Sequence, residues 1–195
     1  MIYENGAQWV GAKQKKALLF AMSGLGKTHI SSMLRHRGNW FHYSIDYRIG
    51  TRYMGEHIVD NFKKSAMSVP FLAELLRSDS ISIASNITFE NLAPLSTYLG
   101  KPGDVSKGGI PFEDYRKRQE QHHAAERAAL LDTPRFIERA SDLYGYNNFI
   151  CDSGGSRCQV VDPWDAAEPT VTTLSCNPPT IWTAGSADPP SAFLQ

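Results

Sequence analysis

Lys16 to Arg37 reads KALLFAMSGLGKTHISSMLRHR, and this stretch decides the fold. Leu18, Leu19 and Phe20 form a short apolar run of the kind that fills the middle of a parallel sheet. Ala21-Met22-Ser23-Gly24-Leu25-Gly26-Lys27-Thr28 follows and fits G-x-x-x-x-G-K-[ST], with alanine at the first position. Ile30, Met33 and Leu34 then recur at helical spacing, so the run predicts strand, turn and helix. Glycines at 24 and 26 let successive backbone N–H groups turn inward without Cβ clashes. Such donors, with the positive end of a following helix, form a nest for phosphate oxygens. Lys27 is then placed for the β- and γ-phosphates, and the Thr28 hydroxyl for Mg²⁺. The plainer alternative is an ordinary glycine turn.

Working outward, Trp40 to Asp46 is rich in aromatic and β-branched residues and predicts a second strand ending on Asp46. Ligand-facing residues of doubly wound sheets lie at the carboxyl ends of strands. Asp46 with Arg48 and Arg52 therefore forms a candidate acceptor site, the alternative being a surface turn with scattered charge. His42 lies within the strand and reads as structural. Asn148 to Asp152 is a third short apolar run ending in aspartate, the pattern of a Walker B element whose carboxylate holds the metal directly or through water. Gly154 and Gly155 follow and allow close backbone approach to a ligand.

Between these strands the chain is largely helical. Residues 56–77 read as helix broken before Pro70, 80–89 as a short strand or extended loop, and 90–99 as a further helix. Residues 101–111 carry Pro102, Pro111, Gly103, Gly108 and Gly109 and form a loop with the composition of a lid. Pro111 to Leu131 is the clearest helix. Its run Arg116-Lys117-Arg118 is either a solvated face or a set of phosphate ligands, the solvated face being the commoner use of such a run. His122 and His123 are adjacent, so on a helix they diverge and make a poor shared metal site. Thr133 before Pro134 reads as the N-cap of another helix. Residues 1–15 read as a polar lead-in with a short edge strand near Gln8 to Val10.

The chain has 195 residues, enough for one well-cored domain. Lys plus Arg and Asp plus Glu both number 20, so nothing global favours nucleic acid or an anionic membrane surface. No apolar run approaches the roughly 20 residues that span a bilayer. Few cysteines (Cys151, Cys158 and Cys176) and no export signal give the expectation of a reducing cytosol. From about Pro163 the chain turns rich in Pro, Ser, Thr and Ala, and Lys and Arg vanish after Arg157. The expected organisation is a nucleotide-binding domain over 1–165 with a helical insertion at about 56–145. An irregular tail over 166–195 would follow and stay out of the sheet, as in a truncated or frame-altered form of a longer protein.

Residues 16–165 resemble P-loop kinases of the shikimate-kinase and nucleoside-monophosphate-kinase type, and resemble still more a group of bacterial ATPases. The matching pieces are AMSGLGKT, SIDYRIGTRYMG and FICDSGGS. The resemblance implies a three-layer α/β/α P-loop NTPase with a parallel sheet, incomplete at the C-terminus. It implies ATP and Mg²⁺ as cofactors and a small-molecule acceptor. In that reading Ser23, Gly24, Leu25, Gly26, Lys27 and Thr28 hold the nucleotide, while Thr28 and Asp152 hold the metal. Asp46 is the acceptor ligand or base, and Arg48, Arg52, Gly154 and Gly155 contact the acceptor. The expected activity is ATP hydrolysis or γ-phosphoryl transfer, with Lys27, Asp46 and Asp152 as its chemical residues. The rival is a nucleotide-dependent switch or binding module with negligible turnover. An Asn-Lys-x-Asp guanine element is not found, which disfavours GTP.

Overall fold

Among the described residues, four parallel strands make one sheet in the order β2-β3-β1-β4. They are β1 (Lys16–Phe20), β2 (Trp40–Ser44), β3 (Asn148–Ser153) and β4 (Thr180–Thr183). The structure is a computed structural model that describes residues 5–20, 26–153 and 180–183, with backbone only at Phe20 and 180–183. The first unit of the chain comprises residues 1–45 and 130–195, and the second comprises residues 46–129. The class is α/β, as the sequence predicts.

In the first unit, β1 is an inner strand, flanked by β3 and β4. Ala17, Leu18 and Leu19 are all buried, which a strand covered on both faces requires. Register pairs Leu19 with Asp152 on β3 and with Trp182 on β4. Lys15 N–H donates to Asn148 Oδ1 at 2.9 Å, and Phe149 N–H to Lys15 O at 2.8 Å, pinning the start of β3. The pairing of β4 with β1 corrects the expectation of a tail wholly outside the sheet: four residues of it join as a strand.

Helices cover both faces. On one, Ala17, Leu19 and Ile150 pack against Leu34 of α2 (Lys27–His36), Trp40, and Trp9 of α1 (Gly6–Gly11). Trp9 and Trp40 stack with centroids 6.1 Å apart. On the other, Phe41, Tyr43 and Phe149 meet Phe136 of α8 (Thr133–Asp142) in an aromatic cluster with centroids 4.7–6.4 Å apart. Two sequence readings are corrected here. Residues 8–10 are helical, because Asn5 caps α1 by accepting from Gln8 N–H at 3.0 Å. On α2, Ser31 is buried and Leu34 half-buried, whereas Ile30 and Met33 are exposed. The N-cap of α8 is Asp132, with Thr133 buried inside the helix, because Asp132 stays in the helical region directly after the preceding helix.

The second unit opens with α3 (Ile45–Arg48), a π-helical turn over Ile49–Tyr53 and α4 (Gly55–Ala66). Then come α5 (Pro70–Arg77), α6 (Ala93–Leu99) and α7 (Phe112–Leu131). The break before Pro70 and the long helix α7 match the sequence reading, and residues 81–88 form no strand. Ile49, Met54, Ile58 and Ala129 are fully buried. Tyr47 stacks on Phe89 at 4.5 Å. Arg118 of α7 donates to the Tyr98 carbonyl of α6 and, at 3.1 Å, to Asn61 Oδ1 of α4. Its guanidinium lies 4.7 Å over the Tyr98 ring.

Candidate functional site

The carboxyl ends of the parallel strands set the stage. Asp152 is the penultimate residue of β3, in register with Leu19 of β1 and Ser44 of β2. It therefore lies one residue before β1 leaves the sheet toward Gly26 and α2. The Asp152 carboxylate is buried, with the residue only 5% exposed. Its Oδ2 accepts from Nε2 of His42 at 3.0 Å, and the His42 side chain is fully buried. A carboxylate oxygen only accepts, so in this bond the imidazole proton is on Nε2. Asp152 Oδ1 is buried and has no hydrogen-bond partner among the described residues. A buried carboxylate oxygen left unsatisfied is costly, and such atoms are commonly met by a water or a cation.

Gly26 caps α2 with φ +79, a left-handed conformation that side chains rarely adopt. Among the described residues no side chain caps this helix start. The first helical bond runs from Ile30 N–H to Gly26 O at 3.0 Å. Lys27 is half-buried and Thr28 exposed, both on the first turn. Ser23, Gly24, Leu25, Gly154 and Gly155 lie outside the described residues, as do Cys158 and Cys176. Lys27, Thr28 and Asp152 thus all belong to the first unit.

The acceptor candidates belong to the second unit. Strand β2 ends at Ser44, and Asp46 sits in the first turn of α3, which corrects the reading of a strand ending on Asp46. The reason is electrostatic as well as steric: an acidic residue suits the positive start of a helix, and Ile45 is already buried as its first residue. Arg48 lies with its guanidinium 5.5 Å over the Tyr53 ring, and Arg52 is exposed on the π-helical turn. π-helical turns recur at functional sites, so this segment retains chemical interest. Gly50 is closely approached there: a Cβ on it would meet Ile87 Cδ1 at 2.9 Å.

The basic run on α7 divides by face. Arg116 pairs with Glu113 at 2.7 Å and Glu120 at 3.4 Å in solvent, and Lys117 is exposed. His122 is half-buried and His123 exposed. Burial pushes the His122 pKa down, with Glu126 opposing and the His123 charge adding slightly. Among the described residues no cluster of three or more His, Cys, Asp or Glu is arranged to hold a metal. No helix among them is long and apolar enough to cross a membrane.

Sequence reasoning read His42 as structural and did not pair it with Asp152. The signal that finds it is alternation: His42 and Ser44 share a face of β2, and Ser44 is level with Asp152 once β2 lies beside β3. That adjacency is a property of the topology. Protein-family models, curated proteins and solved structures, each compared with this chain, return no match.

Proposed function

We propose that this chain binds ATP with Mg²⁺ at the carboxyl ends of β1 and β3, in a fold of the P-loop kinase type. It passes the γ-phosphoryl group to a small acceptor or to water. The observation that carries the reading is Asp152, a buried carboxylate with one oxygen that has no hydrogen-bond partner among the described residues, level with the end of the strand that leads to Gly26, Lys27 and Thr28. Open parallel sheets take ligands in this position. The left-handed Gly26 and the start of α2, which no side chain caps among the described residues, support an anion at the same end.

The residues present fit a nucleotide with its metal. Lys27 supplies a positive charge on the first turn of α2. Thr28 and Asp152 supply the oxygen donors that Mg²⁺ prefers, the hydroxyl from the helix start and the carboxylate from the strand end. Ser23, Gly24 and Leu25 keep their assignment as phosphate-binding residues from the motif. The bound metal would neutralise charge on the transferring phosphoryl oxygens. On the acceptor side we assign Asp46 as ligand or base and Arg52 as the exposed cation. Arg48 is the weaker of the two arginines for this role, since its guanidinium already engages Tyr53.

Titration with a fluorescent ATP analogue tests the reading. Wild type should bind it with Mg²⁺, and Lys27→Ala should bind about tenfold to a hundredfold more weakly, with an unchanged circular-dichroism spectrum. Equal affinity in the two proteins would remove the phosphate-site assignment. Tight binding with no phosphate release, with or without a pool of small metabolites, would return the chain to the class of nucleotide-responsive binding modules.

A further inference from the structure

The geometry points to His42 as a positioning residue for the Asp152 carboxylate, fixing Oδ2 so that Oδ1 is the oxygen presented to a divalent cation. This rests on the phosphate-site reading above and goes further, since it assigns a residue outside every motif a metal-orienting role. Two oxygens of one buried carboxylate are treated differently here. Oδ2 is held by His42 Nε2 at 3.0 Å, while Oδ1 has no partner among the described residues. A bare carboxylate rotates about its Cβ–Cγ bond and offers either oxygen; a hydrogen bond to one removes that freedom. Metal-ligating groups are commonly oriented this way by an outer partner.

The surroundings are unsuited to a histidine whose task is only packing. The His42 side chain is fully buried on the face that holds Ala17, Leu19 and Ile150. Joining β2 to β3 does not need it either, because the two strands pair continuously from Trp40↔Asn148 to Ser44↔Asp152. An apolar residue would fill the space and leave the ladder whole. What it would not do is hold a carboxylate by one oxygen.

The test compares wild type, His42→Gln and His42→Leu, with Asp152→Asn as the reference for loss of the ligand. A fluorescent ADP analogue is titrated in EDTA, and then at fixed concentration with rising Mg²⁺. Glutamine keeps an N–H donor near the Nε2 position, and leucine does not. His42→Leu should need about tenfold to a hundredfold more Mg²⁺ for half-saturation, the usual effect of losing an outer partner. Its EDTA affinity should equal that of wild type, and His42→Gln should recover most of the Mg²⁺ affinity. In the Asp152→Asn background His42→Leu should have no further effect on Mg²⁺. Equal Mg²⁺ requirements in wild type and His42→Leu would overturn the role. So would a glutamine variant that folds but is no better than leucine.

Should leucine fail to fold, wild type suffices. The imidazole of ¹⁵N-labelled protein should show the Nε2-protonated tautomer. Its Nε2 resonance should move when Mg²⁺ joins ADP, and not with ADP in EDTA. A resonance unmoved by Mg²⁺ under saturating ADP overturns the role while leaving the phosphate site standing. A wild type that binds no nucleotide overturns the phosphate-site reading itself, and the positioning role with it.

Discussion

Arg118 shows how far one side chain can depart from its neighbours. The run Arg116-Lys117-Arg118 reads as a solvated face, and Arg116 and Lys117 behave so, with Arg116 bridging Glu113 and Glu120 in water. Arg118 instead turns into the second unit, where it bonds the Tyr98 carbonyl and Asn61 and lies on the Tyr98 ring. Exposed ion pairs such as those of Arg116 contribute well under about 1 kcal/mol. A guanidinium with two hydrogen bonds and a ring contact contributes more. Arg118→Ala should therefore lower unfolding free energy by about 2 kcal/mol in urea titrations, against a few tenths for Arg116→Ala. Arg118→Lys should recover less than half, since an ammonium lacks the planar fork. Equal losses at 116 and 118 would refute this. Composition did not distinguish the two, because a helix gives residues two apart different faces and only the folded neighbours say which face is inside.

The loop of residues 101–111 was legible as a loop from its glycines and prolines, and its internal closure was not. Gly103 N–H donates to Ile110 O at 3.1 Å, Ile110 N–H to Lys101 O at 2.9 Å, and Gly109 N–H to Asp104 O at 2.9 Å. Asp104 Oδ1 also accepts from Ser106 N–H at 2.9 Å. A Cβ on Gly109 would lie 2.6 Å from the Gly103 carbonyl carbon, against backbone that cannot rotate away. Gly109→Ala should open these bonds, seen as faster amide exchange at Gly103 and Ile110 with little change in the amides of α4. Unaltered exchange there would show that the close approach is not needed. The same contrast runs through the other elements. Apolar runs and turn residues located β1, β3, α4, α5 and α7, since each has a period or a breaker of its own. The helix α1 has six residues, too few for a period to show, and its only signal was the Asn5 cap. The end of β2 was misplaced by two residues because Ile45 and Asp46 suit a buried strand end and a helix start equally well. His42 and Asp152 were separately visible, but their bond spans 110 positions and depends on β2 lying beside β3.

At the scale of the whole molecule, the first unit is made from both ends of the sequence and the second is one uninterrupted segment. The second unit is helical and is built mainly on bonds within its helices, its Arg118–Asn61 bond spanning 57 positions, whereas β1 finds β3 across 133 positions. Local contacts form faster than distant ones, because closing a long loop costs entropy before any pairing repays it. In refolding followed by pulsed hydrogen exchange, amides of α4 and the middle of α7 should gain protection before those of β1. Simultaneous protection would mean that the units fold as one. The same arrangement has a consequence inside the cell. On a ribosome the segment Leu18-Leu19-Phe20 emerges early, with both of its strand partners still unmade. At ordinary rates of synthesis, Phe149 follows on the order of ten seconds later. Throughout that interval the nascent chain displays a bare β-forming apolar edge, making it a natural client for a chaperone that binds short hydrophobic segments.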